Sequence, residues 1–253
     1  MLRDKISLQL YSARAIDGLD AQLALAQKCG FTNVEPWGGL FADPAQLKEL
    51  LAKRQLKAPS AHIGLERLRA DAAGTAKMFR GLGIDFLIAP APPPDQREMD
   101  RAGWQALGRE LHAHGKAVTG EGLRFGWHNH HWEFKALPDG SRPFDILMNE
   151  APDMAWEADL AWIVRGNADP IAELARYSGR AIAAHVKDLA KAGEALDEDG
   201  WADAGHGTMD WAKLYPAMVK AGVQLFVLEH DKPSDVERFA SRSLAQVASW
   251  PTL

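Results

Sequence analysis

The stretch Leu123–Phe134, LRFGWHNHHWEF, carries two faces in one short run. Leu123, Phe125 and Trp127 fall on one side of a period-two alternation, and Gly126, His128 and His130 fall on the other. Alternation of that kind is the mark of a β-strand whose apolar face packs under other elements. Seven further runs share the character: KISLQLY, TNVEPW, KAPSAHIG, DFLIAP, MAWEADL, RAIAAHVKD and VQLFVLEHD. Between the runs lie amphipathic stretches such as LDAQLALAQKCG, PAQLKELLAKRQ, RADAAGTAKMFRGLG, GWQALGRELHAHGKAVTGEG and MDWAKLYPAMVKAG. Several end in the Gly expected just past a helix. Eight strand-helix pairs in 253 residues predict an α/β fold, a (β/α)8 TIM barrel formed by residues 1–253 as one domain. A doubly wound open sheet is the competing layout, but no Gly-rich fingerprint follows the first strand and no linker divides the chain.

In a barrel the inward residues at the C-terminal strand ends carry the chemistry. Alternation turns Gln9 and Tyr11, Glu35, His62, His128 and His130, Glu157 and Asp159, His185 and Lys187, and Glu229 inward. Taken singly, each has an ordinary explanation as a hydrogen-bonded structural residue, a helix N-cap or a loop charge; Asp188 and Asp231 are read as caps or loop residues. Taken together they are costly without a shared partner, and a divalent metal is the economical one. Asp159, His185 and Glu229, with one of His128 and His130, make a mixed nitrogen and oxygen ligand set. Such a set suits manganese first, with cobalt, zinc or magnesium as alternatives. The lone Cys29 sits in an apolar helical pattern and reads as a buried thiol.

Trp37, Trp127, Trp132 and Trp162 flank these strand ends. Aromatic rings beside a polar centre stack on the apolar face of a sugar, although alternation turns Trp127 outward into packing. APAPPPD after the fourth strand reads as a stiff loop at the same mouth, and AGHGTMDW as a turn entering a helix. The formal net charge of -5 argues against a nucleic-acid partner. The opening MLRDKISLQLYS has no signal-peptide core, and no apolar run approaches a membrane span, so a cytoplasmic location is expected.

In order along the chain, QLYSAR, GFTNVEPWGG, HNHHWEF, EADLAW with GNADP, HVKD, GHGTMDW and VLEHD resemble the sugar phosphate isomerase/epimerase superfamily. These are the xylose isomerase-like barrels, which include ketose 3-epimerases, inosose dehydratases and endonuclease IV. The resemblance spans nearly the whole chain and implies metal ligands at Asp159, His185 and Glu229. The fourth ligand of the family, commonly a Glu on the fifth strand, corresponds to His128 here. The implied activity is metal-dependent isomerisation or epimerisation of a keto-sugar, cyclitol or related carbohydrate through an enediolate. His128 in place of a second carboxylate brings dehydratase or lyase chemistry close behind. Glu229 or His130 would move the proton, Lys187 and His62 would hold substrate oxygens, and Glu35, Trp37 and Trp162 would complete the substrate site. An endonuclease IV-like nuclease and a non-catalytic sugar-binding barrel are the remaining readings. GNADP and GHGTMDW contain no Lys or Arg, which favours a neutral sugar, and pairing into a homodimer is left open.

Overall fold

The strand ends that alternation turns inward converge because the eight runs close on one another in a single parallel sheet. In the computed structural model, which describes residues 2–251, the strands are β1 (Ile6–Gln9), β2 (Asn33–Glu35), β3 (Ser60–His62), β4 (Phe86–Ala89), β5 (Arg124–His128), β6 (Ala155–Asp159), β7 (Ala181–Val186) and β10 (Leu225–Leu228). Their order is β2-β1-β10-β7-β6-β5-β4-β3, with every neighbouring pair parallel. β2 and β3 close the ring through Lys57, whose carbonyl accepts from Val34 N at 2.9 Å, and through His62 N donating to Pro36 O at 2.9 Å. The result is the (β/α)8 barrel expected. A two-stranded antiparallel hairpin, β8 (Asp188–Leu189) and β9 (Trp201–Ala202), is an insertion after β7 that alternation did not reveal.

The outward residues Leu8, Val34, Leu87, Phe125, Trp127, Trp156, Val186, Phe226 and Leu228 are buried beneath the helices, as the period of two requires. The inward residues Phe86, Ile88 and Ala183 form a separate small apolar group inside the ring. Gly126 leaves room for it: a Cβ there would lie 2.6 Å from the Phe86 ring and 2.9 Å from Ala155 O.

The five helices named from the sequence are present as α1 (Leu19–Cys29), α2 (Pro44–Lys53), α3 (Leu65–Gly81), α4 (Arg101–Gly120) and α8 (Trp211–Ala221). α1 and α8 end at Gly30 and Gly222 with φ of 90° and 105°, a conformation that disfavours any Cβ. α3 starts four residues earlier than its pattern, which is broken at Asp71, where the backbone is extended (φ -163°, ψ 91°). α5 (Pro143–Glu150), α6 (Leu160–Arg165), α7 (Pro170–Arg176) and α9 (Val236–Ala248) complete the outer layer. Pro at the first position and an Asp cap start α2 and α7. No helix among the described residues is long and apolar enough to cross a membrane.

Candidate metal and substrate site

Parallel register sets the height of each inward side chain. His128 lies opposite Glu157 between β5 and β6, and Asp159 lies opposite His185 between β6 and β7. Two overlapping groups of donors result. Near the mouth, Asp159, His185 and Glu229 offer ligand atoms within 4.8 Å of one another; deeper, His62, His128, Glu157 and His185 do the same. The expected set of His128, Asp159, His185 and Glu229 is therefore brought together in three members. His128 joins the deeper group, with His185 common to both.

The deeper group is organised around one carboxylate. Glu157 Oε2 lies 2.5 Å from His62 Nε2, 3.1 Å from His185 Nε2 and 3.3 Å from His128 Nδ1. Burial opposes its ionisation, but the His185 and His62 imidazoles outweigh burial and hold Glu157 well below the usual carboxylate range. Glu35 is fully buried, and there burial and the Glu157 charge win, so its pKa is raised. Its carboxylate accepts from Gln9 Nε2 at 2.6 Å and from the Ser60 hydroxyl, and lies 3.2 Å from His185 Nε2.

Near the mouth, His185 Nδ1 lies 2.8 Å from Glu229 Oε2. Burial acts against a charged His185, yet Glu157 and Glu229 raise its pKa well above the ordinary value. Lys187 is fully buried, with Nζ 2.7 Å from Glu229 Oε2, 2.7 Å from Asp231 Oδ2 and 3.1 Å from Asp159 Oδ2. Burial alone would push Glu229 up, but Lys187 and His185 hold it well down; Asp159 is pushed by burial to about 6 despite the same two neighbours. Asp159 Oδ1 also caps α6 by accepting from Trp162 N at 2.8 Å, while its Oδ2 is ion-paired with Lys187. Five carboxylates, Glu35, Glu157, Asp159, Glu229 and Asp231, thus surround one lysine and three histidines. That excess of acid, with Glu157 Oε1 buried and without a hydrogen-bond partner and an all-oxygen-and-nitrogen donor set, could hold a divalent metal ion.

Above these groups opens a cavity of about 480 Å³ lined by Tyr11, Trp37, His62, Arg97, His128, His130, Trp132, Trp162, Glu229 and Asp231, among others. Trp37, His62 and Trp162 line it as expected. Glu35 and Lys187 do not; they sit behind its floor. His128 is brought to about 3 by burial and the His185 charge, and His130 is held well below its ordinary value by burial and His128. Both imidazoles are therefore neutral at pH 7. His130 stacks on Trp132 at 4.3 Å, and His131 stacks half-buried on Trp162 at 5.0 Å. The proline-rich loop after β4 does wall the cavity, through Pro90, Ala91 and Arg97.

Two supporting residues escaped the sequence reading. Asn129 is fully buried and grips Asp159 by its main chain: Nδ2 donates to Asp159 O at 3.1 Å, and Oδ1 accepts from Asp159 N at 3.0 Å and from Trp156 Nε1 at 2.8 Å. Glu133, also fully buried, accepts from Trp127 Nε1 at 3.1 Å and from His130 N at 2.7 Å, fixing the turn that carries His130. Asp188 is neither a helix cap nor an exposed loop charge. Its carboxylate accepts from Leu189 N, Gly205 N, Met209 N and Trp211 Nε1, so the amides of the AGHGTMDW turn converge on the chain's own acid.

No family model and no curated protein sequence matches the chain. Solved structures do. A sugar phosphate isomerase/epimerase from Parabacteroides distasonis ATCC 8503 superposes with a TM-score of 0.79 at 18% identity, covering 97% of this chain and 94% of that one. The IolI protein with a bound zinc atom gives 0.75 at 14%, covering 97% and 98%. The probable 3-DHS dehydratase AsbF from Bacillus anthracis gives 0.75 at 12%, covering 97% and 99%. At these identities the likeness establishes the fold alone: this chain is built as a (β/α)8 TIM barrel, as those proteins are.

Proposed function

We propose that this protein is a divalent-metal-dependent isomerase or epimerase of a keto-sugar, cyclitol or related carbohydrate. The observation that carries the proposal is the placement of Asp159, His185 and Glu229 together at the ends of β6, β7 and β10, where Glu229 lines a cavity walled by Tyr11, Trp37, Trp132 and Trp162 and the other two lie just behind it. A divalent ion held by these three side chains would polarise a substrate carbonyl and acidify the neighbouring C–H. The printed names of the structural neighbours, an isomerase/epimerase, a probable dehydratase and a zinc-containing protein, are consistent with such a centre.

The chain's own groups supply the rest. Glu229 is ionised and lines the cavity, and His130 is neutral with its Nδ1 free of any hydrogen bond, so each is in the protonation state a base needs at neutral pH. Lys187 stays charged behind the floor, where it orients Glu229 and Asp231 rather than touching substrate. His62, held by Glu157, presents its ring edge to a substrate oxygen, and the indoles stack on the sugar's apolar face and exclude water. Return of the proton to the opposite face of the same carbon inverts it; return to the adjacent carbon interconverts ketose and aldose.

A second reading, elimination of a β-oxygen by a dehydratase or lyase, is favoured by one feature. The fifth strand gives the cavity an imidazole, His128, where a second carboxylate would complete a symmetric pair for two-faced proton exchange. Incubating the metal-loaded protein with a panel of keto-sugars and inososes in D₂O separates the readings. Deuterium at the carbon beside the carbonyl, with an isomer appearing and the rate falling about 10²–10⁴-fold in Glu229→Gln or His130→Asn, supports the proposal. An unsaturated ketone with loss of the β-substituent supports the second reading. No exchange with any member of the panel refutes both.

A further inference from the structure

Among the described residues every arginine but one donates a side-chain hydrogen bond or forms an ion pair. The exception is Arg97. It belongs to the loop after β4, lines the cavity, and carries its guanidinium carbon 4.6 Å from the centre of the Trp132 ring. Its Nε is buried and has no partner. A cation at a cavity wall with no ion-pair partner costs solvation that a bound anion would restore.

The surroundings have the same bias. The indole N–H groups of Trp37, Trp132 and Trp162, all cavity residues, are buried without an acceptor, and indole can only donate. The carboxylates that share the cavity, Glu229 and Asp231, are already committed to His185 and Lys187. The wall is therefore rich in unmatched indole and guanidinium donors, while its carboxylates are already engaged. Arginine's planar fork suits an oxyanion with two acceptor oxygens.

We infer that Arg97, stacked on Trp132, binds an anionic oxygen group of the substrate, a carboxylate or a phosphate, remote from the carbon that loses its proton. This deepens the function proposed above and rests on it. The substrate is then a keto-sugar acid or a phosphorylated sugar rather than a neutral sugar. The expectation of a neutral sugar came from the loops containing GNADP and GHGTMDW, whereas this charge lies on the loop after β4.

Because Arg97 lies over Trp132, intrinsic tryptophan fluorescence reports the site. The as-purified protein, Arg97→Gln and Arg97→Lys are titrated at constant ionic strength with inorganic phosphate, glycolate and glycerol, with metal content and melting temperature measured on the same samples. The expected result is a saturable response to phosphate or to glycolate, the better of the two identifying the source of the charge. Glycerol gives none. Binding weakens about 10-fold or more in Arg97→Gln and is partly restored in Arg97→Lys, with metal content and melting unchanged. A response equal in Arg97→Gln and wild type, a response to glycerol as strong as to the anions, or none to either anion overturns the inference. An anion response that survives in Arg97→Gln but vanishes with the metal is binding at the metal centre, which overturns the Arg97 subsite while supporting the centre itself. An Arg97-dependent response in protein that takes up no metal keeps the subsite and overturns the proposed function.

Discussion

Replacing Asn129 with Ala should loosen Asp159 without touching any proposed ligand. The side-chain amide of Asn129 bonds both the N–H and the C=O of residue 159 and the indole of Trp156, all buried. Removing it strands two buried donors, Asp159 N and Trp156 Nε1, at a cost of about 1–3 kcal/mol each. Partial relief by a water entering the void puts the total near the low end, about 3 kcal/mol. For a chain of this size roughly 2–4 °C accompanies each kcal/mol, so thermal melting followed by circular dichroism should fall by about 6–12 °C. Metal affinity, measured by competition with a chelator, should weaken about 10–100-fold, the usual effect of losing a group that orients a ligand. Asn129→Asp separates geometry from size. It keeps the oxygen that accepts from Asp159 N and Trp156 Nε1 but sets a carboxylate oxygen in place of the donor against Asp159 O, so it should be at least as unstable at pH 7 and recover when acidified. An Asn129→Ala protein that melts within about 2 °C of wild type and retains metal equally would refute the reasoning.

Two other outcomes follow from the same geometry. Gly126→Ala places a methyl 2.6 Å from the Phe86 ring and 2.9 Å from a backbone oxygen; it should destabilise by about 1–3 kcal/mol, and Phe86→Leu in the same chain should recover part of that in a double-mutant cycle, whereas strict additivity would contradict the contact. Glu133 is raised by burial from an ordinary 4.5 to about 8, so the folded protein keeps a proton that the unfolded chain releases; stability should fall as pH rises from about 4.5 to about 8, and Glu133→Gln, which cannot ionise, should gain on wild type over that range. Parallel melting curves for the two proteins from pH 5 to 9 would show that Glu133 does not titrate there.

The part of this architecture legible in the sequence is the part governed by a period of two. Alternation placed His62, His128, Glu157, Asp159, His185 and Glu229 on the inner face, and all of them are there. It gives the face but not the height. Height depends on strand register, and the β5–β6 and β6–β7 pairings, with an irregularity at Trp156 and Glu157, set His128 one level below Asp159 and divide the expected four-ligand set. Asn129 was invisible for the opposite reason: alternation turns it away from the centre, and its role depends on reaching across to a neighbouring strand's main chain. Arg97 lies in an irregular loop where no periodicity operates. Lys187 shows the limit of an inward assignment, since the side chain is inward yet held behind the floor by three carboxylates.

The central claim is that the buried acids at the barrel mouth hold a divalent ion, and elemental mass spectrometry of the purified protein beside an Asp159→Asn, His185→Ala double variant tests it most directly. The account predicts about one manganese, cobalt or zinc ion per chain in the wild type and its loss in the variant. A wild-type protein that takes up no divalent ion even after reloading and desalting, or a folded variant that keeps its full metal content, would contradict it.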